Sequence, residues 1–212
     1  MGILTQLSNS LINGNDEKVA LLTRQAIDEG IPAKQILDTG LIGAMDTVGA
    51  RFKAHDIFLP DVLLAAKAMY AGMDELKPLM IEAGISSIGK VVLGSVQGDL
   101  HDIGKNLVGI MLKGAGFEVI DLGNDVPPSC FVESAMEHGA SVIGMSALLT
   151  TTMPAMKRVV ECVQEEQVAG QIKIIVGGAP VSEDFAREIG ADAYGFDAAS
   201  AVDRVKSLIG DN

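Results

Sequence analysis

Two kinds of hydrophobic pattern divide this chain. Up to Ala83 the apolar residues recur every three or four positions, and nothing alternates with the two-residue period of a strand, so this half is predicted to be helical. A short helix is expected around Ile3–Ile12. Asp16 is placed to cap a second, running to Glu29 with Gly30 at its C-terminal end. Pro32 suits the first turn of a third, whose apolar face carries Ile36, Leu37, Leu41, Met45, Val48 and Phe52. Pro60 opens a fourth, with Val62, Ala66, Met69, Met73, Leu76 and Met80 on one side. Four such helices make a small bundle over residues 1–83.

Ala83 to Gly89 (AGISSIG) is rich in Gly and Ser and reads as a connection, with 84–89 as the linker between two domains. Over 90–212 the pattern switches to short β-rich runs, Val91–Val96, Glu118–Leu122, Ser141–Ser146, Ile172–Val176 and Ala191–Phe196, each followed by an amphipathic helical stretch. Five such repeats predict an α/β domain, a flavodoxin- or Rossmann-like, doubly wound, parallel five-stranded sheet in the order 2-1-3-4-5 with helices on both faces. Ligands in such sheets bind beyond the carboxyl ends of the strands, where the order reverses. The loops there are Gln97–Gly104, Ala147–Thr152 and the one containing Gly177 and Gly178.

Composition narrows the class. The hydrophobic share of 48% and charged share of 21% are those of a globular protein, and no apolar run is long enough to span a bilayer. The start, MGILTQLSNS, lacks a basic region and an export-type apolar core, and Gln6 stands where a myristoylation signal needs Ser or Thr. Cys130 and Cys162 match no CxxC or zinc spacing and fit a reducing cytoplasm. A net charge of −12 argues against nucleic acid, which needs clustered Lys and Arg.

The chemistry concentrates in the first loop, GDLHDIGKN, from Gly98 to Asn106. Asp99 stands two residues before His101, and a carboxylate that hydrogen-bonds one ring nitrogen fixes the tautomer and raises the basicity of the other. Gly104 allows a bulky group close to the backbone. A lone Asp-x-His at a strand end is equally the pattern of a polar loop or helix cap. Thr150 to Thr152 could cap the helix that follows, and Gly177-Gly178 could be a plain turn. A zinc or iron centre would need further protein ligands, and His55 and His138 lie elsewhere in the pattern. One histidine holds a metal durably only when something else holds it too, as a tetrapyrrole-like macrocycle does.

Asp99-x-His101-x-x-Gly104 matches the DxHxxG signature of cobalamin-binding domains, Ser146-Ala147-Leu148 matches that family's S-x-L, and Gly177-Gly178 its GG. The stretch VGARFKAHDIFLPDVLLAAKAM, Val48 to Met69, resembles the helical cap of methionine synthase and of the small corrinoid proteins. GGAPVSEDFAREIGADAY, Gly177 to Tyr194, is similar to corrinoid proteins of methanol, methylamine and aryl methyl ether pathways. The likeness covers nearly the whole chain.

That resemblance implies a cobalamin or related corrinoid bound base-off, His-on, with His101 as the cobalt ligand in place of the cofactor's own base. Asp99 would hydrogen-bond the imidazole, and Thr152 would stand third in the relay, where methionine synthase has a serine. Gly98, Leu100, Asp102 and Gly104 would border the cofactor. Ser146, Leu148, Thr150, Gly177, Gly178 and Ala199 would contact its nucleotide tail. The FLPD segment, Phe58 to Asp61, would cover the methyl-bearing face of the corrin. The implied function is a methyl carrier of one-carbon metabolism, taking a methyl group on Co(I) from a substrate methyltransferase and giving it from methyl-Co(III) to a second methyltransferase. The second enzyme would use tetrahydrofolate or a thiol cofactor, and a reductive activation protein would restore the cobalt.

The chain itself shows no site for a methyl donor or folate, which makes it a carrier subunit of a multicomponent system with the linker as its hinge. A cobalamin-binding sensor would carry a DNA-binding or signalling module, and the cobalamin subunit of a radical mutase would not need the cap with FLPD. A flavodoxin-like nucleotide binder would place phosphate against Asp99 and Asp102, which repel it.

Overall fold

The computed structural model describes residues 2–84 and 87–210; residues 85 and 86, in the middle of the expected linker, lie outside those described, as do 1, 211 and 212. Packing divides the chain into two compact units, one running to Ser87 and taking in Gly114–Gly116, the other Ile88–Lys113 with Phe117 onward.

The first unit is helical: α1 (Ile3–Ile12), α2 (Asp16–Asp28), α3 (Ala33–Gln35), a π-helical stretch (Ile36–Ile42), α4 (Gly43–Lys53) and α5 (Leu59–Glu82). Asn15, not Asp16, caps α2: its side chain accepts the Lys18 N–H at 3.0 Å, while Asp16 sits inside the first turn. The expected third helix is broken by the π-helical stretch. Gly40 lies there against Leu7, and an added Cβ would stand 2.6 Å from a Leu7 methyl, so the missing side chain lets α1 approach closely. The wider turn changes which carbonyls are free, and the Ser8 hydroxyl reaches those of Thr39 and Gly40 at 3.2 and 3.1 Å. Leu7, Leu11, Val19, Ile36, Leu41, Val62 and Leu76 are fully buried and form the core of this unit. Asp61 accepts the Phe58 N–H at 2.9 Å to start α5, and Phe58 itself is exposed. Met45 and Met69 are buried.

The second unit alternates strand and helix: β1 (Lys90–Ser95), α6 (Ile103–Gly114), β2 (Glu118–Asp121), α7 (Pro128–His138), β3 (Val142–Ser146), α8 (Met153–Glu165), β4 (Lys173–Gly177), α9 (Glu183–Ile189), β5 (Ala193–Gly195) and α10 (Ala198–Gly210). All strand pairs are parallel and the order is β2-β1-β3-β4-β5, as the repeat pattern predicts. Ser95, Ser146, Gly177 and Gly195 stand side by side at the carboxyl edge.

The pleat sends alternate residues to opposite faces, and the faces are filled differently. Val92, Ile143 and Ile174 join a dense core with Phe131 from α7 and Met156 and Val160 from α8. Their neighbours Val91, Leu93, Gly144 and Ile175 face a cavity of about 310 Å³, walled by α6 and α10 residues such as Val108, Leu112, Ala201 and Val205. Close packing leaves few voids larger than a water molecule. An opening of this size on one face of an otherwise full sheet is therefore a distinctive feature.

Candidate functional site

β1 ends at Ser95, and the chain turns through Gly98 before α6 begins at Ile103. Asp99 sits in that turn with no exposed surface. A buried carboxylate must be satisfied by donors, and every one here comes from a loop at the sheet's carboxyl edge. Oδ1 accepts the His101 backbone N–H at 3.0 Å and lies 2.8 Å from His101 Nδ1. Oδ2 accepts the Leu148 N–H at 2.7 Å, the Leu149 N–H at 3.4 Å and the Thr152 hydroxyl at 2.7 Å. Burial by itself would push this carboxyl up. The hydrogen bonds from Thr152, Leu148 and His101 outweigh it and hold the group far below the usual carboxylate range. Asp99 is therefore an anion that only accepts, so Nδ1 of His101 carries a proton, and in the neutral ring the lone pair lies on Nε2. The His101 side chain is 50% exposed, and no hydrogen bond among the described residues engages Nε2.

The surrounding backbone locks this pair in place. The Ser95 hydroxyl donates to the His101 carbonyl at 2.7 Å, and Asn124 donates to that of Leu100 at 3.3 Å. Asp125 holds the turn from the other side, accepting the Gly98 N–H at 2.7 Å and donating its own N–H to the Asp99 carbonyl at 2.9 Å. Thr152 precedes α8 but makes no side-chain cap; its hydroxyl is within reach of the Leu149 carbonyl at 2.9 Å as well as of Asp99. With one proton to give, the ionised partner at 2.7 Å is the stronger acceptor.

Ser146, Gly104, Gly177 and Gly178 line the cavity at its upper end. Nothing lies within 4 Å of where a Gly104 Cβ would be. Gly178 has φ of 130°, and a Cβ there would stand 1.9 Å from the Ala147 carbonyl oxygen, so no other residue fits this crossing of two loops. The remaining residues singled out from sequence lie outside the cavity lining. Leu148 contributes its N–H to Asp99 while its side chain is exposed, Thr150 is exposed, and Ala199 is buried in α10. The backbone carbonyl of Asp102 accepts the Asn106 N–H at 2.7 Å to open α6. Gly98 and Leu100 belong to the His101 turn, and Leu100 is exposed with Ile103, Leu149 and Phe196 as apolar side chains of the carboxyl-edge loops.

Lys105 was not foreseen. Its side chain is almost wholly buried beside the cavity, with Nζ 2.6 and 2.8 Å from the two Asp121 oxygens and 2.7 Å from Asn106 Oδ1. The ammonium is thereby paired with one carboxylate and one amide oxygen. Asp121 responds: burial raises its pKa, but the Lys105 hydrogen bond and charge, with the Gly123 N–H, bring it below the ordinary value.

The donor set limits what metal chemistry fits. Among the described residues no group of three or more His, Cys, Asp and Glu side chains converges on a point. A lone, oriented imidazole suits a metal whose other positions are already filled, and the exposed apolar rim with a deep cavity beside it suits a flat macrocycle bearing a tail.

The comparisons with known proteins agree. Residues 89–203 match the family described as "B12 binding domain", and residues 3–77 match a second family of the same description. A corrinoid protein of Desulfitobacterium hafniense is 42% identical over 213 residues, covering 99% of both chains. A dimethylamine corrinoid protein of Methanosarcina barkeri is 44% identical over 208 residues, covering 98% of this chain and 97% of its own. The crystal structure of the methanol:cobalamin methyltransferase complex MtaBC from Methanosarcina barkeri superposes with a TM-score of 0.88 at 30% identity, over 99% of this chain and 80% of that one. The buried carboxylate, the imidazole it orients and the cavity beside them therefore sit in a chain that belongs to the B12-binding corrinoid protein family.

Proposed function

We propose that this chain is the methyl-carrying corrinoid subunit of a multicomponent methyltransferase system, binding its cofactor base-off with His101 as the lower ligand. The observation that carries the reading is the Asp99–His101 pair. An ionised, buried carboxylate holds the proton on Nδ1 and leaves an unengaged Nε2 lone pair at the carboxyl edge of the sheet. A bound corrinoid supplies the cobalt centre that takes up and gives away the methyl group. The chain supplies ligation and orientation. His101 presents Nε2, Asp99 fixes its ring, and Thr152 and the Leu148 N–H fix Asp99. The 310 Å³ cavity receives the displaced nucleotide tail, with Ser146, Gly104, Gly177 and Gly178 at its mouth.

Relatives named for dimethylamine and trimethylamine, and a methanol complex of the same fold, support a substrate methyltransferase as the first partner. A second methyltransferase using tetrahydrofolate or a thiol cofactor, and a reductive activation protein, complete the system. Free Cys130 and Cys162 suit a reducing cytoplasm.

The test is reconstitution with hydroxocobalamin, followed by paramagnetic resonance of the reduced cobalt with isotopically labelled histidine nitrogen. Wild type is expected to show coupling to the labelled imidazole and His101→Ala to lack it. Unchanged axial ligation in the variant would defeat the assignment.

A further inference from the structure

The turn that carries His101 is held on two sides, and the two are unlike. On one side Asp99 is buried and gathers donors from the loop between β3 and α8. On the other stands Asp125, in the loop between β2 and α7, and both it and Gly98 are exposed. Asp125 has φ of 52°, a left-handed conformation that residues other than Gly, Asn and Asp rarely adopt. In that conformation it grips the turn twice. Its Oδ1 accepts the Gly98 N–H at 2.7 Å, and its own N–H donates to the Asp99 carbonyl at 2.9 Å. The two bonds bracket Asp99. Asp125 is itself anchored to β1, since the Ser95 N–H donates to the Gly123 carbonyl and the Val126 N–H to the Ser95 carbonyl, both at 3.0 Å. An exposed hydrogen bond adds little to folding, because water replaces it when it is lost, and a left-handed residue detracts from folding. Stability alone therefore gives this arrangement no purpose.

We infer that Asp125 is a positioning residue for the cobalt ligand. Given the His101 ligation proposed above, its carboxylate sets the turn from Gly98 to His101 before the cofactor arrives, so that less ordering remains to be done on binding. Asp125 acts through the backbone on both sides of Asp99, and Asp99 Oδ1 in turn orients His101 Nδ1. Groups that hold a metal ligand from behind govern affinity although they never meet the metal.

A double-mutant cycle tests this. Dissociation constants of the apo-protein for hydroxocobalamin are measured by calorimetry for Asp125→Gly and Asp125→Asn, each with His101 present and with His101→Ala. Glycine keeps the positive φ and the backbone N–H but removes the acceptor, whereas asparagine keeps all three. With His101 in place, Asp125→Gly is expected to bind at least about tenfold more weakly and Asp125→Asn within about threefold of wild type. In the His101→Ala background, Asp125→Gly is expected to change affinity by less than about twofold. Paramagnetic resonance of the reduced cobalt with labelled histidine nitrogen gives a second readout. There Asp125→Gly is expected to lower the share of bound cobalt coupled to imidazole while the binding stoichiometry stays that of wild type. Unchanged affinity and coupling in Asp125→Gly overturn the inference. An equal loss with and without His101, or a fall in stoichiometry alone, overturns it too, because Asp125 then merely supports the fold. A loss in Asp125→Asn as large as in Asp125→Gly also overturns it, by assigning the effect to charge rather than to the accepted bond. Absence of imidazole coupling in wild type would instead strike the ligation by His101 itself, whatever Asp125→Gly does.

Discussion

Thr152→Val isolates one bond of the network that holds the imidazole. The substitution keeps the branched shape and removes the hydroxyl, which is buried and donates to Asp99 Oδ2 at 2.7 Å. A hydrogen bond to a charged group is worth about 1.5–3 kcal/mol. Oδ2 keeps the Leu148 N–H at 2.7 Å but is left with only the long Leu149 contact at 3.4 Å beside it. The expected loss is therefore about 2 kcal/mol from the second unit. Thr152→Ser retains the donor and forfeits one methyl group, at most about 0.8 kcal/mol. Urea unfolding followed by circular dichroism measures both. Hydrogen exchange of the segment from β3 through the Leu148 amide assigns the loss to this unit rather than to the helical one. If Thr152→Val proves as stable as Thr152→Ser, the hydroxyl is not sustaining the buried charge and the reasoning fails.

Three further outcomes follow from the same geometry. Asp121 has a folded-state pKa below its ordinary value of 3.8, so its contribution is present above that value and is lost as pH falls through the folded one; Asp121→Asn should flatten the acid limb of the stability profile below about pH 4, and an unchanged limb would contradict the Lys105 pairing. Gly178→Ala places a Cβ against the Ala147 carbonyl at a positive φ and should cost at least about 3 kcal/mol, or abolish folding of this unit, read by thermal melting; a loss under 1 kcal/mol refutes the close crossing. Asn15→Ala should cost about 1 kcal/mol in the helical unit while Asp16→Ala, which removes a surface partner of Lys67, costs less; the reverse order would restore Asp16 as the cap.

Local pattern carried much of this protein. The helical and strand periods and the number of βα repeats are properties of apolar spacing, so they were legible residue by residue; the strand order was an inference from the number of repeats, which the pairing bears out. The π-helical stretch was not, because Ile36–Ile42 has ordinary helical spacing, and the close packing of Leu7 against Gly40 there comes from another helix. Asn15 was passed over for Asp16 because both are capping residues and only backbone geometry distinguishes them. In the site, Asp99 and His101 are neighbours in sequence and were found together. Asp125 and Lys105 were missed because each acts across 16 or more residues, on Gly98 and on Asp121 respectively.

The amino-acid sequence by itself determined a helical segment followed by a parallel sheet, and the short motifs gathered at that sheet's carboxyl edge. These follow from spacing, which depends only on neighbours along the chain. Tertiary structure alone decided that Asp99 is buried among five donors and so remains an anion, and that Lys105 is consumed by Asp121. It also decided that one sheet face is packed solid while the other encloses a cavity. Burial, charge state and empty volume arise from groups brought together from distant parts of the chain, and no local pattern encodes them.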